Sequence, residues 1–144
     1  MDVLEMTYYL KPIVKYWKSF LKIILHATRP ERFTIEWSEI TVDNLFDRVN
    51  SKTPPLLIDV RSTMDFNRDY GHIPNARSIP MMELESNLED LNSFKDKEIV
   101  TMCPGGGMSL VAVDILTEAG FTDVKSLKGG TDIWHKKGYP TTTS

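Results

Sequence analysis

The pattern of hydrophobic and polar positions changes character near residues 29–30. Between about Thr7 and Ala27, four lysines recur at intervals of four, three and four residues, which places them on one face of a helix. Apolar and aromatic side chains fill the rest of that surface, as is typical of an amphipathic helix. The lysines are Lys11, Lys15, Lys18 and Lys22. We therefore predict a basic amphipathic helix within residues 1–30 and a separate domain over residues 31–144.

From residue 33 onward, short apolar runs alternate with helix-like runs. Strands are predicted over residues 33–36, 56–60, 76–79, 98–102 and 123–127. Helices are predicted over residues 41–49, 62–69, 81–91, 109–119 and 131–137. Their predicted caps are Thr41, the Ser62–Asp65 capping box and Thr131, with Gly120 as a helix stop. This alternation predicts an α/β fold, a parallel sheet of about five strands with helices on both faces.

The most informative loop follows the strand predicted at residues 98–102. It contains Cys103, the single cysteine, followed by one proline and three consecutive glycines. Ligands in such folds bind beyond the carboxyl ends of the strands, where Cys103 lies. Consecutive glycines let backbone N–H groups converge on one point, and the next helix adds partial positive charge. Both effects favour a thiolate, so we predict Cys103 to be a nucleophile; the alternative is a buried structural cysteine beside a flexible turn.

Composition and charge limit the classes of partner and cofactor. A net charge of −3 gives no basis for nucleic-acid binding. One cysteine excludes an intramolecular disulfide, and no histidine or cysteine set has metal-ligand spacing. We therefore expect no metal and no cofactor. A lone thiol suits a reducing compartment, and no apolar run is long enough to span a bilayer, so we expect a cytoplasmic protein.

Four ordered motifs make the chain between about Thr34 and Pro140 resemble the rhodanese family. The motifs are Leu57–Arg61, Gly71–Ala76 with Ser78–Pro80, Cys103–Met108, and Leu127–Gly130 with Trp134 and Gly138–Pro140. The resemblance implies a sulfurtransferase whose loop cysteine takes sulfane sulfur as a persulfide. It also implies that backbone N–H groups of the loop hold that sulfur; here these would be Gly105, Gly106, Gly107, Met108 and Ser109. The partners would be a sulfane-sulfur donor and a thiol, cyanide or protein acceptor.

Met108 is the main departure from the family pattern, which commonly has arginine at that position. A methionine offers neither charge nor a strong donor, so electrostatic help for an anionic donor such as thiosulfate is weaker. A less charged donor, or a persulfide delivered by a protein, is favoured instead. A different class of function also stays open, namely a sulfur-sensing or partner-binding module with little turnover.

Other polar residues near the predicted site have structural interpretations. Asp59 and Arg61 are predicted to tie loops together, although Arg61 also stands as a candidate substrate-binding residue. Ser109 is predicted to cap the helix after the loop, and His72 to be a hydrogen-bonded structural histidine. Trp134 is predicted to belong to the core. His26 and His135 are predicted to face solvent.

The N-terminal segment has two interpretations. Residues 7–27 fit a helix that lies on an anionic membrane surface or in the groove of a partner protein, because lysines adjoin a wide apolar and aromatic arc. The alternative is a helix that packs on its own domain with its lysines in water. The first interpretation predicts a peripheral association with the membrane.

Overall fold

The computed structural model describes Trp17, residues 20–25, Thr28 and residues 38–143. The chain divides into two compact units, Met1–Ile35 and Glu36–Ser144.

The described residues of the first unit are helical. Their apolar side chains are mostly exposed, with Trp17 at 62% and Leu25 at 54%, whereas Ile23 is buried. The hydroxyl of Thr28 donates to the carbonyl of Ile24 at 2.8 Å, one turn earlier. Lys11, Lys15 and Lys18 of the predicted stripe lie outside the described residues. Within the described part of the chain, no helix has the length and hydrophobicity that crossing a bilayer requires.

The second unit is built on a parallel five-stranded sheet. Its strands are β1 (Glu39–Ile40), β2 (Leu56–Asp59), β3 (Arg77–Ser78), β4 (Glu98–Met102) and β5 (Asp123–Leu127). Their order across the sheet is β1-β5-β4-β2-β3, so the three longest strands occupy the centre. The helices are α1 (Val42–Val49), α2 (Thr63–Asn67), α3 (Gly107–Glu118) and α4 (Gly130–Lys136). The predicted α/β parallel sheet is confirmed.

Both faces of the sheet are covered. One face carries Leu57, Val100 and Leu127, which form a core with residues of α1 and α4, including Leu45 and the fully buried Trp134. The predicted core position of Trp134 is thereby confirmed. The other face carries smaller polar groups beside α3: Thr101 and Ser126 are paired in register, and the Thr101 hydroxyl donates to the carbonyl of Ser109 in α3 at 2.9 Å.

The local capping signals in the first half of the domain are confirmed. Thr41 accepts a hydrogen bond from the Asn44 N–H at the start of α1. Ser62 accepts one from the Asp65 N–H at the start of α2, and its hydroxyl donates back to the Asp65 carboxylate at 2.7 Å. The strand predicted at residues 33–36 lies outside the described residues, and the first described strand is β1.

The helix predicted at residues 81–91 is wrong. This segment forms short 3₁₀ turns, Met81–Glu83 and Glu85–Asn87, with a third at Asn92–Phe94. Side chains compete there for a backbone acceptor, because the Ser86 hydroxyl and the Asn87 amide both donate to the carbonyl of Glu83. The backbone N–H of Asn87 instead reaches the carbonyl of Leu84, three residues earlier. These local hydrogen bonds replace the continuous α-helix that was predicted for residues 81–91.

Candidate active site

Cys103 lies at the carboxyl end of the central strand β4, in the turn that leads into α3. The turn closes at Gly106, whose φ of +92° lies in the left-handed region that favours glycine. Two backbone N–H groups point at the cysteine sulfur: the distance to Sγ is 3.1 Å from Gly106 N and 3.4 Å from Ser109 N. The side chain is buried, with Cys103 only 3% exposed. The predicted convergence of N–H groups is therefore present at this sulfur.

The carbonyl groups of the loop are held on its other side by α4. The N–H of Thr131 donates to the carbonyl of Cys103 at 3.0 Å, and that of Asp132 donates to the carbonyl of Pro104 at 3.1 Å. Gly130 permits this close approach, because a Cβ atom there would lie 2.2 Å from both carbonyl oxygens. With its carbonyls satisfied by α4, the loop presents its N–H groups to the sulfur.

This arrangement corrects the predicted cap at Thr131. The helix α4 begins at Gly130 and its N-cap is Gly129, with φ +78° and no side-chain cap bond. The Thr131 side chain is buried and lies 3.1 Å from the hydroxyl of Tyr70, while its backbone N–H serves the cysteine loop. The glycine pair occupies the capping position because the loop must approach the helix start so closely.

The predicted capping role of Ser109 is also wrong. Gly106 is the N-cap of α3, so Ser109 lies inside the first turn and is fully buried. Its Oγ donates to the carbonyl of Gly106 at 3.1 Å and lies 2.7 Å from Oγ of Ser126 and 3.5 Å from Sγ of Cys103. Ser109 therefore contacts the sulfur of Cys103 through both its N–H and its hydroxyl.

The remaining loop residues face outward. Gly105, Gly107 and Met108 are exposed, and a Cβ atom added at either glycine would meet nothing within 4 Å. Met108 is 43% exposed, so its side chain brings neither charge nor a donor to the sulfur. Within the described residues, the N–H groups that reach Sγ are those of Gly106 and Ser109. The binding roles predicted for Gly105, Gly107 and Met108 stay predictions.

Arg61 and Asp59 form a buried ion pair at the end of β2. Asp59 is fully buried and accepts from both Nε and Nη2 of Arg61, at distances between 2.6 and 3.0 Å. Nη2 also donates to the carbonyl of Gly71 at 2.9 Å. Burial lowers the pKa of Arg61, but the Asp59 carboxylate more than offsets this and holds the pKa above its ordinary value. The pair ties the end of β2 to the next loop, the structural role predicted for it.

A polar cleft of about 220 Å³ opens beside the cysteine loop. Its floor includes Tyr70, whose hydroxyl donates to the Asp132 carboxylate at 2.8 Å. Burial, together with that carboxylate, raises the pKa of Tyr70, so the phenol stays protonated and holds the start of α4 in place. Seven residues line the cleft: Arg61, Asp65, Arg68, Asp69, Tyr70, Pro104 and Asp132.

The two described histidines, His72 and His135, are not among the hydrogen-bond partners of Sγ. His72 is buried, and its ring stacks on that of Phe66 with 3.6 Å between the ring centroids. Its Nδ1 forms a hydrogen bond with the carbonyl of Phe66, as predicted for a structural histidine. His135 is exposed and stacks on Tyr70 at 4.2 Å. His26 lies outside the described residues. No cluster of His, Cys, Asp or Glu over the described ranges could hold a metal ion.

Sequence reasoning missed two positions that support the site. Ser126 was included only within a predicted strand, and its pairing with Ser109 depends on the register of β5 against β4. A hydroxyl residue in a central, buried strand is a detectable signal, because such a group needs a partner. Tyr70 carried no signal, since its contacts with α4 join residues far apart in the chain.

Comparison with known proteins gives a consistent assignment. The family model of the rhodanese-like domain matches residues 41–137. A sulfurtransferase of Allochromatium vinosum is 29% identical, with 72% of this chain and 92% of that protein covered. The thiosulfate sulfurtransferase GlpE of Shewanella oneidensis is 31% identical, with 69% and 94% covered.

Solved structures agree with this assignment. The crystal structure of a rhodanese-like domain protein from Staphylococcus aureus matches with a TM-score of 0.59 and 30% identity. The match covers 73% of this chain and 98% of that one. The family model spans well over half of the sequence and includes the cysteine loop, both central strands beside it and α4. This chain therefore belongs to the rhodanese-like domain family.

Proposed function

We propose that this protein is a sulfurtransferase that carries sulfane sulfur as a persulfide on Cys103. It passes that sulfur to a thiol, to cyanide or to a protein acceptor. The observation that carries the proposal is the pair of N–H donors, from Gly106 and Ser109, directed at Sγ in a glycine turn. Relatives named as sulfurtransferases support the same reaction class.

The proposed cycle has two steps. The Cys103 thiolate attacks the sulfane sulfur of the donor; a new S–S bond forms, and the bond between that sulfur and the rest of the donor breaks with its electron pair. The acceptor nucleophile then attacks the outer sulfur, breaks the S–S bond on Cys103 and restores the thiolate. Negative charge stays on sulfur in both steps, so the loop N–H groups and the start of α3 stabilise each anionic state.

The residues around the loop favour a donor with little negative charge. Met108 provides no cation, and the Nε and Nη2 atoms of Arg61 are held by Asp59 and Gly71. Arg61 does line the cleft beside Pro104, and we retain it as a substrate-contacting residue at that wall. The cleft holds three carboxylates against two guanidinium groups, so it offers no net positive charge to a dianion such as thiosulfate. The persulfide of a small thiol or of a protein carries at most one negative charge on its outer sulfur, and it is the donor class we propose.

Sulfur loading can be measured directly by intact mass after exposure to the persulfide of a small thiol. We expect the wild-type chain to gain one sulfur atom that a reductant removes. The Cys103→Ser variant should gain none while keeping the same circular dichroism and melting temperature, because serine fits the same turn. A wild-type protein that gains no sulfur, or a serine variant that transfers sulfur at the full rate, contradicts the mechanism.

A low-turnover sulfur-sensing or partner-binding module is the second candidate. The exposed Met108 in place of a cation favours it, because an apolar loop residue suits contact with another protein better than turnover of a small anion. Release of the loaded sulfur separates the two functions. Repeated turnover with cyanide or a small thiol supports the enzyme, whereas loading without catalytic release supports the module.

For residues 7–27 we propose peripheral docking on an anionic membrane surface in the cytoplasm, with a partner protein as the alternative occupant. The described part of this segment exposes Trp17, Phe20, Leu21, Ile24 and Leu25, and the sequence places lysines beside them. Exposed apolar side chains next to basic residues are the combination that binds a lipid interface.

A further inference from the structure

Three hydroxyl- or sulfur-bearing side chains form a buried row behind the cysteine loop. Sγ of Cys103 lies 3.5 Å from Oγ of Ser109, and that oxygen lies 2.7 Å from Oγ of Ser126 on β5. Both serines are fully buried. Buried hydroxyls each need a hydrogen-bond partner, so the direction of every bond in this row is constrained.

Counting protons fixes the direction of the row. Within the described residues, Ser109 Oγ is the one hydrogen-bond partner of Ser126 Oγ. The Ser109 hydroxyl has one proton, and it reaches two acceptors, the carbonyl of Gly106 at 3.1 Å and Sγ of Cys103. If Ser109 gave that proton to Ser126 instead, the Ser126 proton would be left buried without an acceptor. Ser126 therefore donates to Ser109, and Ser109 donates to Gly106 or to sulfur.

We propose that Ser126 is a positioning residue for the Cys103 thiolate. By donating to Ser109, it reserves the single Ser109 proton for the loop. When the thiol loses its proton to solvent, the Ser109 hydroxyl turns from the Gly106 carbonyl to Sγ and joins the two N–H donors. A hydroxyl that accepts one hydrogen bond donates more strongly, so the Ser126 bond strengthens the bond to sulfur.

Thr101 provides a matched comparison on the neighbouring strand. It is also a fully buried hydroxyl, it pairs in register with Ser126, and it also contacts Ser109. Its hydroxyl, however, donates to the backbone carbonyl of Ser109 and not to Oγ. Removing it perturbs the same part of the core without changing the proton that faces the sulfur.

The charged groups around the loop are few and are shared by all the variants below. Among the described residues they are the Asp59–Arg61 pair at the end of β2 and Asp132 at the start of α4, with Asp65, Arg68 and Asp69 also lining the cleft. The buried faces of α3 and β5 that meet the sulfur contribute Ser109 and Ser126. A difference between the variants is therefore a difference in hydroxyl donation.

The test follows the ultraviolet absorbance of the thiolate against pH in the full chain, with the Cys103→Ser form of each protein subtracted. Ser126→Ala should move thiolate formation upward by roughly half a pH unit to one pH unit. Thr101→Val should leave it in place. Ser109→Ala removes the donated proton itself and should therefore shift the pH of thiolate formation at least as far as Ser126→Ala. This variant provides a second measurement if Ser126→Ala does not fold.

Three outcomes overturn the proposal: Ser126→Ala titrates as wild type, Thr101→Val shifts it equally, or Ser109→Ala leaves it unchanged. The proposal extends the sulfur-transfer function, but its test needs no sulfur donor. The thiolate absorbance can be measured even in a protein that accepts no sulfur. Failure of the Ser126 proposal and failure of sulfur loading are therefore separate results.

Discussion

The buried pair of Asp59 and Arg61 gives a prediction in which a structural and a substrate-binding role lead to different results. Arg61→Met keeps a long flexible side chain but leaves the Asp59 carboxylate fully buried without its cation. Removing one partner of a buried ion pair costs about 3–5 kcal/mol. A domain of this size has a total stability of roughly 5–15 kcal/mol, so the single change removes a large share of it.

The free-energy cost of the unpaired buried charge is measured by comparing this variant with the double variant Asp59→Asn/Arg61→Met. Asparagine removes the buried charge. Its side-chain oxygen can still accept the hydrogen bond that the backbone N–H of Arg61 donates to Asp59 Oδ1 at 3.0 Å. We expect the double variant to lose only about 1–2 kcal/mol, because it leaves unsatisfied dipoles and no unpaired charge. Urea unfolding with a common slope measures both variants.

Two results would refute this reasoning. One is a single variant that loses less than about 1 kcal/mol, and the other is a double variant no more stable than the single one. The double variant also decides the role of Arg61 in the cleft. If it folds and still loads sulfur on Cys103, the arginine acts through the fold; if it folds but loses loading, Arg61 contacts the substrate.

The remaining predictions address the loop, the domain and the N-terminal segment. Met108→Arg should raise the kcat/KM for thiosulfate more than that for polysulfide, because both anions gain the charge but only the oxygen atoms of thiosulfate accept strong hydrogen bonds from the guanidinium; equal changes would contradict it. Gly130→Ala should lower the melting temperature and slow sulfur loading, since its Cβ would lie 2.2 Å from two loop carbonyl oxygens; Gly105→Ala, where the added carbon meets nothing, is the control. Burial raises the pKa of Glu98, but hydrogen bonds from its basic partners Arg48 and Lys125 outweigh this and hold the pKa below its ordinary value. The stabilising effect of Glu98 is therefore fully present above the pKa of the unfolded state and is lost as pH falls through the lowered pKa of the folded state. Glu98→Gln should therefore cost more free energy of unfolding at pH 7 than at about pH 3, and an equal cost at both would exclude the linkage. Deleting residues 1–28 should reduce co-sedimentation with anionic liposomes, to which each lysine adds up to about 1 kcal/mol, and leave sulfur loading intact. A lower melting temperature with unchanged liposome binding would instead show that the helix packs on its own domain.

Features encoded by short stretches of sequence were predictable here. The caps at Thr41 and Ser62 depend on residues three positions apart, and the central strands are continuous apolar runs. The cysteine turn was predictable for the same reason, because three glycines before a helix define its geometry locally. The family motifs then placed these elements in one fold.

The errors arose where distant contacts override a local signal. Threonine is a common N-cap residue, but the cysteine loop lies so close to the start of α4 that Gly129 is the N-cap. The N–H of Thr131 donates instead to the carbonyl of Cys103. Ser109 was predicted to be the cap because the apolar helical pattern starts after it, but α3 already begins at Gly107. The partner of Ser109, on β5, depends on strand register, which no short window of sequence contains.

The order of the strands also has a consequence for the way the chain is completed during synthesis. The first described strand, β1, pairs only with β5 within the described sheet, and β5 leaves the ribosome after the other four described strands. Until then Glu39 and Ile40 have no neighbour to bond, whereas β2 has β3 and β4 available earlier. Closing so long a loop is slow and entropically costly. A nascent chain that stalls before Asp123 should therefore leave Glu39 and Ile40 unpaired, and ribosome-arrested chains of increasing length would show protection of Ile40 from proteolysis only after β5 has emerged.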